Sequence, residues 1–231
     1  MSTQVFKNLS NSKGFQDSFV FHAENISVKY GRIHALNNVS FSIAKGEVIF
    51  VTGKSAAGKS TLLNLLAGDV KAGSGRLINS LDERFIAQVF QDVKLLHDLT
   101  LEENLLLSFD PQLYKSKREF MSDLTELVQF LGIESKLKIK AQNANGGLKQ
   151  KLALVRALMT KPQIILCDEP TSSCDKESSI KFFELLNYYN VKKGLTIIWA
   201  SHNKELVKNF PGKMLHLDNG KLVYSGHACF I

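Results

Sequence analysis

An α/β fold with a mostly parallel sheet is what this sequence predicts, and three observations predict it. The apolar runs Glu47–Thr52 (EVIFVT), Gln163–Cys167 (QIILC) and Thr196–Ala200 (TIIWA) lack polar alternation. Strands buried on both faces of a parallel sheet read this way. Helical patterns separate the runs, as parallel neighbours require. A glycine-bearing loop follows the first run and opens into helical spacing over Lys59–Ala67.

The polar stretch 1–18 reads as a flexible tail, and residues 19–231 as one domain. Two β-rich runs begin that domain, Phe19–Tyr30 and Val39–Ile43. In the second, Val39, Phe41 and Ile43 alternate with polar residues, the period of a half-exposed antiparallel strand. A small antiparallel lobe is therefore expected before the parallel core. Residues about 95–158 read as an inserted helical lobe. Within it Phe120, Leu124, Leu127, Val128 and Leu131 share one helical face, and Gly132 ends the helix. Near the end, Asp218-Asn219-Gly220 lies between Met214–Leu217 and Lys221–Ser225, an Asn-Gly hairpin signal.

Composition removes several function classes. The net charge is +7, yet basic residues are scattered apart from short clusters such as Lys115–Arg118. None is interleaved with aromatic residues as in single-strand binders, so no nucleic acid partner is expected. No run approaches the roughly 20 apolar residues of a membrane span. The N-terminus has neither apolar core nor cleavage pattern, so the chain is expected in the cytoplasm. Cys167, Cys174 and Cys229 make no CxxC pair and no metal-like spacing. The ending Ala228-Cys229-Phe230-Ile231 puts its cysteine one position late for prenylation.

The chemistry begins at Gly53-Lys54-Ser55-Ala56-Ala57-Gly58-Lys59-Ser60-Thr61, which matches GxxxxGK[ST] after a buried strand and at the start of a helix. Glycines let the backbone curl until successive N–H groups converge on phosphate oxygens, at the positive end of a helix. Lys59 would set a charge on the outer phosphates, and the Ser60 hydroxyl would complete a Mg²⁺ shell. Asp168 and Glu169 end the second buried strand. Asp168 would hold Mg²⁺ through water, and Glu169 would polarise an attacking water. ATP and Mg²⁺ are the expected ligands, on a P-loop NTPase core of the RecA-like kind.

In the order of its motifs the chain resembles the ATP-binding cassette ATPases, from about residue 20 onward. Tyr30 stands where that family stacks a ring on adenine. Gln91, in VFQD, matches the glutamine that meets Mg²⁺ and the moving helical lobe. Asn145-Gly146-Gly147, followed by Gln150-Lys151, falls where the signature LSGGQ is expected. Ser172–Asp175 matches the loop after Pro170-Thr171, with Cys174 at a position usually apolar, and His202 matches the switch histidine at the γ-phosphate. The resemblance implies two copies closing head to tail on two ATP, each nucleotide held by one chain's phosphate loop and the other's signature. It also implies an integral membrane partner, FtsX-like or a permease, gripped near Asp92–Leu107 and holding the chain peripherally at the membrane. The segment VFQDVKLLHDLTLEENLLL is closest to the cell-division ATPase FtsE, then to the lipoprotein-release and macrolide-export ATPases. An exporter subunit and an ATP-responsive clamp with little turnover are the alternatives.

Two departures modify these expectations. The signature begins Ala144-Asn145 rather than Leu-Ser. Loss of one charged hydrogen bond across the dimer costs roughly 1.5–3 kcal/mol, a slowing of roughly 10- to 150-fold. Slow turnover is therefore expected. Against FtsE-like chains the segment between Gly75 and Gln91 is compressed to RLINSLDERFIAQVF, which implies a trimmed antiparallel lobe and reads as a shortened surface loop.

Overall fold

The computed structural model describes residues 19–82, 85–90, 93–202 and 210–227. The expected tail at 1–18, Gln91, Asp92 and the ending 228–231 with Cys229 lie outside these residues. In chain order the elements are β1 (Phe19–Tyr30), β2 (Ile33–Ala44), β3 (Val48–Thr52), α1 (Lys59–Ala67), β4 (Ser74–Asn79), β5 (Ile86–Val89), α2 (Leu101–Leu106), α3 (Lys117–Phe130), α4 (Gly146–Met159), β6 (Ile164–Asp168), α5 (Lys176–Lys193), β7 (Thr196–Ser201), β8 (Lys213–Asp218) and β9 (Lys221–His227). The chain divides into two compact units, Met1–Glu83 with His202–Ile231, and Arg84–Ser201.

In the first unit β1 pairs antiparallel with both β2 and β4. Phe21, Ala23, Ile26 and Val28 of β1 are buried, as are Leu36, Val39, Phe41 and Ile43 of β2. The alternation read at Val39–Ile43 is thus the inward face of a longer strand. The first half of β2 carries exposed residues such as Ile33, 71% exposed. Its strand form comes from pairing with β1, Tyr30 opposite Ile33 and Lys29 opposite His34, rather than from a core-facing pattern. In the same unit β3 runs parallel to β8, and β8 turns antiparallel into β9. Asn219 (φ +47°) and Gly220 (φ +76°) make that turn, both left-handed as a two-residue hairpin demands. Ile49, Phe50 and Val51 of β3 are completely buried.

The second unit holds the parallel run β5-β6-β7, with Ile86 opposite Ile164 and Ile164 opposite Thr196. Every residue from Ile164 to Cys167 and from Thr196 to Ala200 is fully buried, which is why neither strand alternates. The compressed segment after Gly75 supplies β4 and β5, one strand to each unit. The apolar face read over Phe120–Leu131 is buried on α3 and just beyond it. Phe120 takes Phe109 and Tyr114 edge-on, each with ring centroids 5.2 Å away. Burying such a ring contributes roughly 1.5–3 kcal/mol. Trp199 of β7 meets Phe182 and Phe183 of α5 at 5.7 and 5.8 Å. Among the described residues no helix is long and apolar enough to cross a membrane.

Candidate functional site

The phosphate-loop candidate joins β3 to α1 within the first unit. Gly53 has φ +151° and Gly58 φ +105°, conformations that side-chain-bearing residues rarely adopt. A Cβ on Gly53 would lie 2.4 Å from the Leu217 carbonyl oxygen, and one on Gly58 2.4 Å from that of Ala35. Neighbouring strands therefore press on the loop from below. The hairpin turn between β8 and β9 supports it as well. Gly220 donates its N–H to the Ala57 carbonyl at 3.1 Å and accepts from Asn37 N–H at 2.8 Å. One residue before the loop, Thr52 Oγ1 and His216 Nδ1 share a 2.8 Å hydrogen bond.

Lys54, Ser55, Ala56 and Ser60 are exposed along the loop, Thr61 is half-buried, and Ala57 is buried. Lys59 is 8% exposed and curls back, its Nζ donating to the Gly53 and Lys54 carbonyls at 3.0 and 3.1 Å. The helix it begins differs from the others described. Thr100, Ser116, Asn145 and Asp175 each cap their helices with a side-chain oxygen. At α1 the capping position is Gly58, no side chain caps, and no acid stands in the first turn. Helix N-termini leave donor N–H groups and partial positive charge. A lysine, these donors and no competing acid fit a polyphosphate, and the Ser60 hydroxyl fits one ligand of its Mg²⁺.

In the second unit β6 delivers Asp168 and Glu169. Glu169 has φ +48°, an uncommon conformation for such a residue, and its N–H donates to the Ala200 carbonyl at 3.0 Å. Its own carbonyl accepts from Ser172 N–H at 3.1 Å, so a tight turn fixes the carboxylate's stem. Cys167 just before it is buried, and desolvation, then the Asp168 charge, push its thiol far up. Asp175, which caps α5, has its carboxyl held below the ordinary range by the backbone and hydroxyl of Ser178.

Asn145 caps α4, its Oδ1 accepting from Leu148 N–H at 2.9 Å. The cap uses the carboxamide's acceptor and leaves its donor, Nδ2, available toward a phosphate. Gly146 and Gly147 lie against the loop before α5. A Cβ on Gly146 would be 2.8 Å from Ser173 Cβ, and one on Gly147 3.0 Å from the Ser173 carbonyl oxygen. The last position of LSGGQ is Leu148 here, half-buried. A cavity of about 350 Å³ opens beside Gly146, lined by Lys94, Lys149 and the imidazole of His97 among others.

Tyr30, the phosphate loop and His202 belong to the first unit, and Asp168, Glu169 and Asn145–Gly147 to the second. Tyr30 ends β1 and is 50% exposed, open to a stacking partner. His202 is an exposed residue directly after β7. One structural residue escaped the sequence, and a second was read there only as following the signature. Asn104, 1% exposed, donates to the Leu96 and Thr100 carbonyls and accepts from Leu96 N–H, shaping the segment after Gln91. Gln150, 2% exposed, ties α4 to the loop before α5. Its signal was spacing, four positions after Gly146 on one helical face.

The family model for ABC transporters matches residues 36–172. The methionine import ATP-binding protein MetN of Clostridioides difficile is 35% identical over 216 residues, 88% of this chain and 67% of its own. MetN of Bacillus subtilis is 34% identical over 213 residues, covering 87% of this chain and 62% of its own. The chain thus spans about two thirds of the length of these methionine-import relatives. The phosphonates import ATP-binding protein PhnC of Fusobacterium nucleatum is 35% identical over 226 residues, 89% of this chain and 91% of its own. Among solved structures, a dimeric ATP-binding cassette in a post-hydrolysis state bound to ADP and Pi superposes with a TM-score of 0.78 and 28% identity, covering 91% of this chain and all of its own.

Proposed function

The chain belongs to the ABC transporter family, and on that premise we propose that it is the ATP-binding and ATP-hydrolysing subunit of a membrane complex, acting as two copies. The observation that carries this is α1, capped by no side chain and opening on Lys59. In this reading the loop N–H groups and Lys59 bind the β and γ phosphates, and Tyr30 stacks on the base. Ser60, Gln91 and Asp168 hold Mg²⁺, which when bound neutralises phosphate charge. Glu169 orients a water and takes its proton, His202 steadies the γ-phosphate, and Asn145 with Gly146 and Gly147 reaches the partner copy's nucleotide. Such phosphoryl transfer needs mainly positioning and charge stabilisation.

Glu169→Gln tests the assignment, since it keeps shape and removes the base. Phosphate release should fall about 10²-fold or more while binding of a fluorescent ATP analogue persists. Wild-type turnover in that variant sinks the role given to Glu169.

The partner we infer is a permease, met at the surface around 93–107, where Leu96 and Leu107 are 56% and 59% exposed. Methionine and phosphonate import relatives support an importing complex, with the chain peripheral at the membrane. A cell-division role of the FtsE kind, with an FtsX-like partner, is the second reading, supported by the wording of segment 89–107 alone. The membrane protein that co-purifies with the chain decides between them.

A further inference from the structure

Gln150 spends both ends of its buried carboxamide on one loop. Nε2 donates to Ser172 Oγ at 3.1 Å, while Oε1 accepts from Ser173 N–H at 3.2 Å and from the Cys174 thiol at 3.3 Å. Ser173 is also the residue against which Gly146 and Gly147 close. The N-terminal turn of α4 and residues 172–174 are therefore joined by three hydrogen bonds and by a contact that only glycine permits. The loop continues to Glu169, whose carbonyl accepts from Ser172 N–H at 3.1 Å. A buried carboxamide that makes three hydrogen bonds favours one relative placement of its partners, because a shift leaves its polar atoms unpaired.

We propose that Gln150 is a positioning residue that fastens the Asn145–Gly147 turn to the backbone of Glu169, so that contact made at the turn is felt at the carboxylate. This rests on the ATPase reading given above. Mere packing could be served by any side chain of similar volume. A lock needs the three polar contacts.

Two variants separate these roles. Gln150→Leu keeps volume and removes all three contacts. Gln150→Glu keeps them, because the Ser173 N–H, the Cys174 thiol and a rotated Ser172 hydroxyl all donate to a carboxylate. Alkylation of Cys174 by iodoacetamide, followed on its own peptide by mass spectrometry, reports the lock without reference to ATP. In Gln150→Leu it should speed up about tenfold, and kcat should fall about tenfold with KM for ATP unchanged, the worth of one hydrogen bond of ~1.4 kcal/mol. Gln150→Glu should return both values close to wild type. Alkylation at the wild-type rate in Gln150→Leu overturns the lock. So does a loss in which kcat and KM move together, or a Glu variant no better than Leu. If Gln150→Leu does not fold, Ser172→Ala, which removes only the exposed arm, must change Cys174 alkylation in the same direction or the proposal fails. A wild-type chain without turnover would refute the ATPase reading, and the alkylation rates would still decide the lock.

Discussion

Replacing Asn145 by serine should accelerate ATP turnover without altering stability, and the structure says why the two effects separate. Oδ1 of Asn145 is committed to the Leu148 amide at 2.9 Å, so the residue is first a helix cap. Serine caps about as well as asparagine, within a few tenths of a kcal/mol. Alanine does not, and Asn145→Ala should cost about 1 kcal/mol of cap. In a chain of this length that is a fall in Tm of about 2–4 °C. Turnover is a separate quantity. A serine hydroxyl sits nearer the backbone than Nδ2, in the position the family uses toward the partner copy's γ-phosphate. Regaining one charged hydrogen bond of roughly 1.5–3 kcal/mol speeds hydrolysis by roughly 10- to 150-fold. Steady-state phosphate release and thermal melts on the three proteins measure both effects. Turnover of Asn145→Ser equal to or below wild type refutes the account of slow hydrolysis. A lower Tm for Asn145→Ser than for Asn145→Ala refutes the account of the cap.

Gly220→Ala, far along the chain from the phosphate loop, should weaken nucleotide binding about tenfold, the worth of the ~1.4 kcal/mol hydrogen bond by which its N–H holds Ala57. Its Cβ would also sit 2.9 Å from the Ala35 carbonyl oxygen, and the N–H that holds Ala57 would move. Gly31→Ala is the control, with φ +59° but open space around the new methyl, and titration with a fluorescent ATP analogue should leave its affinity unchanged. The alkaline limb of stability should depend on Tyr189, whose hydroxyl is pushed up to about 12 by burial, then by the charges of Asp123 and Glu126. Because the folded value lies above the free one of 10.0, the tyrosine's contribution is complete below pH 10 and lost as pH rises toward about 12. Denaturation of wild type and Tyr189→Phe across that window should converge at its lower end and diverge at its upper. Parallel curves would remove Tyr189 from the account.

The parts of the fold legible in sequence are those whose cause is local. EVIFVT, QIILC and TIIWA could be read because strands buried on two faces tolerate no polar alternation. The Asn219-Gly220 turn could be read because two successive left-handed residues admit few alternatives. The first half of β2 could not, since Ile33 and its neighbours are strand only through partners on β1. Nor could the support beneath the phosphate loop, where Leu217 and Gly220 meet Gly53 and Ala57 from the far end of the sequence. For the candidate site, the loop glycines and Lys59 were evident from spacing. The double use of the Asn145 carboxamide was not, because capping and ligand donation require the same residue type. Gln150 was read as following the signature, but its contacts were not, because a glutamine on a helix reads as solvent-facing until its burial is known.

The missing cap on α1 has a consequence for folding as well as for binding. A helix that receives no side-chain cap at its first turn can be completed there by a bound anion, so the ligand acts as a component of the fold supplied from outside. By thermodynamic linkage, a nucleotide at 100 times its Kd adds about 2.7 kcal/mol to the stability of the state that binds it. Part of that gain should appear locally, as slower amide exchange in the first turn of Lys59–Ala67 and in the hairpin that supports the loop. The concentration of free nucleotide then acts on this chain as a temperature control does, setting how often that corner opens.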